Sequence, residues 1–331
     1  MTVEPLLSVR GLTTRFRTDR GNVVAVDDVS FDVAPGETLA IVGESGSGKS
    51  VTALSILRLI PNPPGEIAGG QIVFDGKDLL KLSDGEMRAI RGNRIAMIFQ
   101  EPMNSLNPAL TVGLQVAEPV QQHRAVSWAA ALDAAKALLQ KVQIPDAGSR
   151  LHTYPHQYSG GMRQRAMIAM ALACKPRLII ADEPTTALDV TVQAQILDLL
   201  KDLTRETGAA LILITHDLGV VARYADRVVV MYAGRVVEQA PASALYRTPQ
   251  HPYTRGLLAS VPRLDGQAGE RLVPIDGAPP DLAALPPGCA FAPRCRRAVA
   301  ACLDTRPLLH TAGCASPDHL HACLRDELPV E

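Results

Sequence analysis

The sequence predicts an α/β fold built on a phosphate-binding loop, with a mixed sheet at its core, an antiparallel β subdomain, a helical insertion and a small irregular C-terminal extension rich in Cys and Pro. Three observations predict it. Residues 38–60, TLAIVGESGSGKSVTALSILRLI, run from a short apolar stretch through a glycine-rich turn into an apolar helical pattern, which reads as strand, loop and helix. RLIIADEP at 177–184 and LILITHD at 211–217 are buried-strand runs rich in β-branched residues, each closing on polar side chains. Composition also shifts late in the chain: 13 of the 25 prolines lie in residues 241–331, and five of the six cysteines lie in the last 43 residues.

The loop carries the most specific chemistry. Gly43, Gly48, Lys49 and Ser50 fill G-x-x-x-x-G-K-[ST], a pattern in which backbone N–H groups converge on phosphates and glycine supplies dihedrals that other residues avoid. Lys49 would reach the β/γ-phosphates and the Ser50 hydroxyl would hold Mg²⁺. The helix beginning near Ser50 would add its positive end to the same anion site. This stretch predicts nucleotide binding without saying which NTPase.

Composition sets the boundaries of the functional reading. At 331 residues the chain is long enough for a large core plus a second module. A net charge of −1 with 20% charged residues advertises no basic face, so nucleic acid is not an expected partner. The N-terminal MTVEPLLSVRGL has no charged region followed by a long apolar stretch, and no run approaches the ~18 apolar residues of a membrane span. The expectation is a chain neither secreted through a signal peptide nor membrane-spanning.

In chain order, residues 6–33 alternate apolar and polar in pieces, predicting antiparallel strands joined by the DRGN turn. Phe16 in this region has two readings: a half-buried strand aromatic, or a platform on which adenine stacks. After the loop helix, Pro61, Pro63, Pro64 and Gly65 end the pattern, and QIVFDGKDL supplies a strand and turn. RIAMIFQ, residues 94–100, reads as a buried strand ending at Gln100, where ligands bind in α/β sheets. Residues 109–173 contain no strand pattern, and SWAAALDAAKALLQKV has helical spacing, so a helical insertion is expected over about 101–173. Within it, Ser159 is a good N-cap, Gly160 and Gly161 expose backbone N–H groups, and a long helix follows. Alone, this reads as an ordinary capped helix.

RLIIADEP ends in adjacent carboxylates, Asp182 and Glu183. Burying two acids side by side is costly unless a positive charge is near. Mg²⁺ on a bound nucleotide would be that charge, with Asp182 at the metal shell and Glu183 polarising a water against the γ-phosphate. TTALD (185–189) and a helix follow. LILITHD then offers His216 at a strand end, unlike His123, His152, His310, His319 and His321, which read as surface or satisfied core residues.

Taken together, Gly43–Ser50, Gln100, Ser159-Gly160-Gly161, Asp182-Glu183, Asp189 and His216 give a chain that resembles an ABC transporter ATP-binding subunit, over residues 5 to about 260. The resemblance implies catalysis by Glu183, His216 and Gln100, and Mg²⁺ held by Ser50, Gln100 and Asp182. It implies ATP binding by Phe16, Gly43, Glu44, Ser45, Gly46, Ser47, Gly48, Lys49, Ser50, Val51, Ser159, Gly160, Gly161 and Asp189. In such proteins two domains sandwich two ATP molecules head to tail, with Ser159 and its glycines serving the opposing subunit's nucleotide. Tyr158 stands where the family usually has Leu, and Phe16 where Tyr is commoner; both keep a large apolar contact.

EPMNSLNP (101–108) and QHPYTRGLL (250–258) narrow the resemblance to the dipeptide/oligopeptide permease ATPases, with nickel importers as close relatives. Domains of 1–245 (ATP-binding) and 246–331 (C-terminal extension) follow. So do a second ATPase subunit, forming a heterodimer, two membrane permease subunits, an extracytoplasmic solute-binding protein, and a peripheral place on the cytoplasmic face of the plasma membrane. A soluble ABC ATPase acting on nucleic acid is the rival of another class, and the near-zero net charge argues against it.

Cys289, Cys295, Cys302 and Cys323 are separated by five, six and twenty residues without a C-x-x-C, a poor match to a zinc ribbon. Disulfides rarely persist in the reducing cytosol where a transporter ATPase works. So Pro-rich a segment is expected to bury little core, which leaves room for a metal to stabilise it. The resemblance adds a [4Fe–4S] cluster on these four residues; zinc and unconnected thiols are the alternatives. Cys314 has no matching role.

Overall fold

The computed structural model describes residues 4–19, 21–100, 105–186, 188–260, 274–311 and 317–325. They divide into two compact units, one formed by the described parts of 1–4, 34–37 and 81–214, the other by those of 5–33, 38–80 and 215–331. Cys314 and the first half of EPMNSLNP, residues 101–104, lie outside the described residues.

In the second of these units, alternation does what the sequence predicts. Strands Leu7–Thr18 and Gly21–Val33 pair antiparallel, and Gly65–Phe74 then Lys77–Asp78 extend the sheet on the other side of Leu7–Thr18. Leu7 lies opposite both Val33 and Phe74, and Val9 opposite Phe31 and Ile72, so one face collects large apolar side chains that are all at most 3% exposed. A second set of strands in the same unit begins with Thr38–Val42, which runs parallel to Arg227–Tyr232; Arg235–Pro241 pairs antiparallel with the latter. Two-residue strands Leu320–His321 and His310–Thr311 complete that edge.

The C-terminal extension is short on regular structure, as its prolines predict, with a 3-10 turn Ala292–Arg294 and helix Ala301–Asp304 among its described elements. Among the described residues of 289–331, the buried apolar side chains are Phe291, Ala292, Cys302 and Ala322. Phe291 is 4% exposed and Tyr253, on helix Pro252–Ala259, is fully buried. Their rings lie 5.5 Å apart, and both meet Tyr232 of the strand, at 5.3 Å for Phe291 and 4.6 Å for Tyr253. Residues 246–331 thus lend two rings, those of Tyr253 and Phe291, to a core whose third ring, Tyr232, belongs to strand Arg227–Tyr232, which composition alone does not reveal. Under it, fully buried Glu238 accepts hydrogen bonds from the Gln250 N–H (2.7 Å) and the His251 N–H (2.9 Å) and pairs with His319 Nε2 (2.7 Å).

In the other unit, strands Ile95–Ile98, Leu178–Asp182 and Ala210–Thr215 run parallel in that order. The last two are buried along their whole length, as continuous apolar runs in a parallel sheet must be. The strand expected over 94–100 covers only Ile95–Ile98, because pairing ends at Ile98 opposite Ala181 and the exposed Phe99 and Gln100 continue beyond it. Between residues 105 and 173 every described element is helical: Val112–Arg124, Trp128–Lys141, Ala147–Arg150, a 3-10 turn Pro155–Gln157 and Gly160–Leu172. Thr111, Ser127, Ser159 and Asp189 cap their helices by accepting a backbone N–H two or three residues into the first turn. Among the described residues no helix is long and apolar enough to cross a membrane.

Candidate functional site

The phosphate loop follows strand Thr38–Val42 and opens helix Lys49–Ile56, capped by Gly48. Two of its glycines are dictated by space. Gly43 has φ +154°, and a Cβ there would fall 2.2 Å from the Met231 carbonyl oxygen. Gly48, at φ +99°, would put a Cβ 2.5 Å from the Ala25 carbonyl oxygen. Lys49 is 5% exposed, and its Nζ donates to the carbonyls of Gly43 (2.8 Å) and Glu44 (3.0 Å), which hold the ammonium inside the curve of the loop. Ser47 Oγ is buried with no protein hydrogen-bond partner. An orphaned hydroxyl beside a buried ammonium at a helix N-terminus fits a polyphosphate, so the residues present suit the expected nucleotide.

In the same unit, Phe16 is half-buried on its strand, opposite Gly65, and His216 is exposed one residue past strand Ala210–Thr215. Asp217, next to it, caps helix Leu218–Tyr224 by accepting from the Gly219 N–H at 2.8 Å, which fixes the backbone that carries the imidazole.

The other unit gathers the carboxylates. Asp182 is the buried last residue of its strand, and Glu183 follows at φ +45°, a conformation that a non-glycine residue holds only when its surroundings impose it. The imposing contacts include the Glu183 N–H, which donates to the Ile214 carbonyl at 2.9 Å. At the tip, Glu183 Oε2 accepts from Gln100 Nε2 (3.1 Å) and Thr186 Oγ1 (2.9 Å). The strained backbone thus turns the carboxylate toward the amide that the sequence placed at the neighbouring strand end. Gln100 and Glu183 are brought together as expected; Thr186, within TTALD, was not singled out from the sequence.

Ser159 caps helix Gly160–Leu172, its Oγ accepting from the Met162 N–H at 3.3 Å. A Cβ on Gly161 would lie 3.0 Å from Val192 Cγ1, and one on Gly160 would lie 3.4 Å from Leu188 Cδ2. The glycines therefore let this helix start pack against the helix start at Asp189, whose carboxylate accepts from the Val192 N–H at 2.9 Å. Ser159 and Asp189 thus stand on two adjoining helix N-termini.

In the extension, Cys289, Cys295, Cys302 and Cys323 line one small cavity with His251 and Phe291. Cys289, Cys295 and Cys302 are free thiols, and burial pushes those of Cys289 and Cys295 up. The four cysteines that the sequence reading grouped thus border the same cavity. Among the described residues, however, no group of three or more His, Cys, Asp or Glu side chains is disposed to hold a metal ion.

A phosphate loop on a strand-to-helix turn, a strand-end Asp-Glu pair with a glutamine on the glutamate, and a glycine-initiated helix define the class: an ATP-binding cassette ATPase. The family description "ABC transporter" matches residues 26–186, and "Oligopeptide/dipeptide transporter, C-terminal region" matches residues 237–302. The chain is 57% identical over 300 residues to the dipeptide transport ATP-binding protein DppD of Bacillus subtilis, covering 91% of this chain and 89% of that one. It is 54% identical over 335 residues to a peptide import ATP-binding protein of Brucella melitensis, covering 98% of both. Among solved structures, it is similar to a dimeric ATP-binding cassette in a post-hydrolysis state with ADP and Pi, at TM-score 0.64 and 29% identity over 71% of this chain and 98% of that one. A Clostridium perfringens cassette from the cbiONQ transporter complex gives TM-score 0.62 and 27% identity over 74% and 92%. The chain belongs to the ATP-binding subunits of the oligopeptide/dipeptide branch of the ABC transporter family.

Proposed function

We propose that this chain hydrolyses ATP to energise import of di- or oligopeptides through membrane permease subunits. The observation that carries the reading is near-complete coverage at 54% identity by a peptide import ATP-binding protein, together with the match of the C-terminal region to oligopeptide/dipeptide transporters. In the proposed chemistry, Lys49 and the loop N–H groups hold the phosphates. Glu183, oriented by Gln100, takes up the proton of the attacking water, and His216 supports the γ-phosphate. Mg²⁺ would sit among Ser50, Gln100 and Asp182, neutralising phosphate charge. Ser159, Gly160 and Gly161 would meet the nucleotide of a second ATPase subunit in a heterodimer, and residues 1–245 would act as the ATPase domain with 246–331 as its extension. A solute-binding protein would deliver the solute, and the chain would lie on the cytoplasmic face of the plasma membrane.

Reconstitution of the full transporter in proteoliposomes tests this. ATP-dependent uptake of labelled dipeptide, lost in Lys49→Ala, is the expected result. Uptake of nickel instead would move the chain to the metal-importing relatives, and ATP turnover coupled to neither would overturn the reading.

The iron–sulfur reading of Cys289, Cys295, Cys302 and Cys323 belongs to this proposal. It rests on the family resemblance and on four thiols around one cavity, the ligand number of a [4Fe–4S] cluster. Such a cluster would supply folding energy to the extension. Anaerobic purification with iron, sulfide and zinc analysis decides: zinc without sulfide replaces the cluster, and a folded, metal-free protein removes it.

A further inference from the structure

The phosphate loop is contacted from the far end of the chain. Arg294 of the extension donates from Nη1 and Nη2 to the two carboxylate oxygens of Glu44, at 2.7 and 3.0 Å, across 250 residues of sequence. The arginine side chain is 5% exposed, against 26% for the glutamate. Its remaining donors are also engaged: Nε donates to the Asp276 carbonyl at 2.9 Å and Nη1 to the Tyr232 hydroxyl at 3.3 Å. The backbone of Glu44 is held as well, its N–H donating to Tyr253 Oη at 2.8 Å while its carbonyl accepts from Lys49 Nζ at 3.0 Å.

Glu44 brings a negative charge to this place. It sits in the loop that must hold a highly negative ligand, one carbonyl away from the ammonium that would meet that ligand. A carboxylate there repels phosphate unless its charge is cancelled. Among the described residues the ion pair to its oxygens comes from Arg294, and a largely buried bidentate pair screens far better than mobile counter-ions. We propose that Arg294 is an electrostatic positioning residue of the nucleotide site: by masking Glu44, and with Tyr253 holding the Glu44 N–H, the C-terminal extension sets the affinity of the phosphate loop for MgATP.

The inference rests on the reading of residues 43–51 as the nucleotide loop. Equilibrium binding of MgATP to the full-length chain is measured for the unsubstituted protein, Arg294→Gln, Glu44→Gln and the double variant, with thermal unfolding of each in parallel. Arg294→Gln leaves a bare carboxylate and weakens binding about tenfold, a deficit that shrinks as salt is raised from about 0.05 M to 0.5 M. The double variant, although it too lacks the ion pair, recovers to within about threefold of the unsubstituted chain. A role confined to stability would leave it as weak as the single variant. Glu44→Gln alone binds about threefold more tightly; this arm decides the matter even if Arg294→Gln does not fold. Unchanged affinity in Arg294→Gln, no recovery in the double variant, or equal or weaker binding by Glu44→Gln overturns the inference while leaving the ATPase reading intact. An unsubstituted chain that binds no MgATP overturns both.

Discussion

Gln100 Nε2 donates to Glu183 Oε2 at 3.1 Å, joining two strand ends that are 83 residues apart in the chain. The bond orients a carboxylate whose own backbone is already strained, at φ +45°. Together they hold one oxygen in place and leave the carboxylate in a defined rotamer, which is what a base acting on a bound water needs.

Glu183→Gln keeps this shape and removes the carboxylate proposed as the base. MgATP binding should be retained, while steady-state hydrolysis in the assembled transporter falls at least ~100-fold, the lower end for removing a general base. Near-normal turnover measured by phosphate release would assign the base elsewhere. Gln100→Ala should act more mildly, lowering turnover with little change in binding.

Ser159→Arg places a bulky cation at a helix N-terminus that adjoins the Asp189 cap. Equilibrium ATP binding to the single subunit should change less than about threefold. ATP-driven association, followed by light scattering with the Glu183→Gln background to slow hydrolysis, should disappear. Loss of ATP binding by the single chain with association intact would place Ser159 at its own chain's nucleotide.

Phe291→Ala empties the ring position between Tyr232 and Tyr253. Removing a buried phenylalanine typically costs about 3–5 kcal/mol, so the midpoint of urea unfolding should fall clearly. Phe291→Leu should recover most of it. A midpoint unmoved in the alanine variant would show that the extension does not share the strand core.

Stability should also depend on pH through His251. The ring is buried, and burial pushes its pKa down to about 4 from an ordinary 6.5, while its Nδ1 must stay unprotonated to accept the Tyr253 N–H at 3.1 Å. A pKa lowered on folding means the unfolded chain binds the proton first. The stabilisation is therefore complete above about pH 6.5 and is lost as the pH falls toward 4. At lower pH Glu238 follows: burial works to raise its carboxyl, but the hydrogen bonds from His319 and from the Gln250 and His251 N–H groups hold it below its ordinary value. Thermal unfolding followed from pH 7.5 to 4.5 should show a falling midpoint. His251→Asn, which keeps a capping acceptor, should flatten that fall.

The nucleotide loop was legible because its chemistry is local. Gly43, Gly48, Lys49 and Ser50 lie within eight residues, and the apolar periods on either side announce the strand and the helix that position them. The strand-end carboxylates and the Ser159 cap were legible for the same reason: a buried apolar run closing on Asp-Glu, and a serine before two glycines and a helix, are patterns that short-range geometry explains. The positive φ of Glu183, the hydroxyl of Thr186 on its carboxylate, and the packing of Gly161 against Val192 were not, since each depends on which neighbour a strand or helix meets. The same holds for the extension. Its prolines foretold irregular backbone and its cysteines were grouped from the sequence, but the aromatic core of Tyr232, Tyr253 and Phe291 and the pairing of Arg294 with Glu44 join residues up to 250 positions apart. Sequence patterning reports which face of an element is apolar and which turn it makes; the partner that covers that face, or cancels a charge such as that of Glu44, is decided only when distant segments are packed and every buried polar group must find its match.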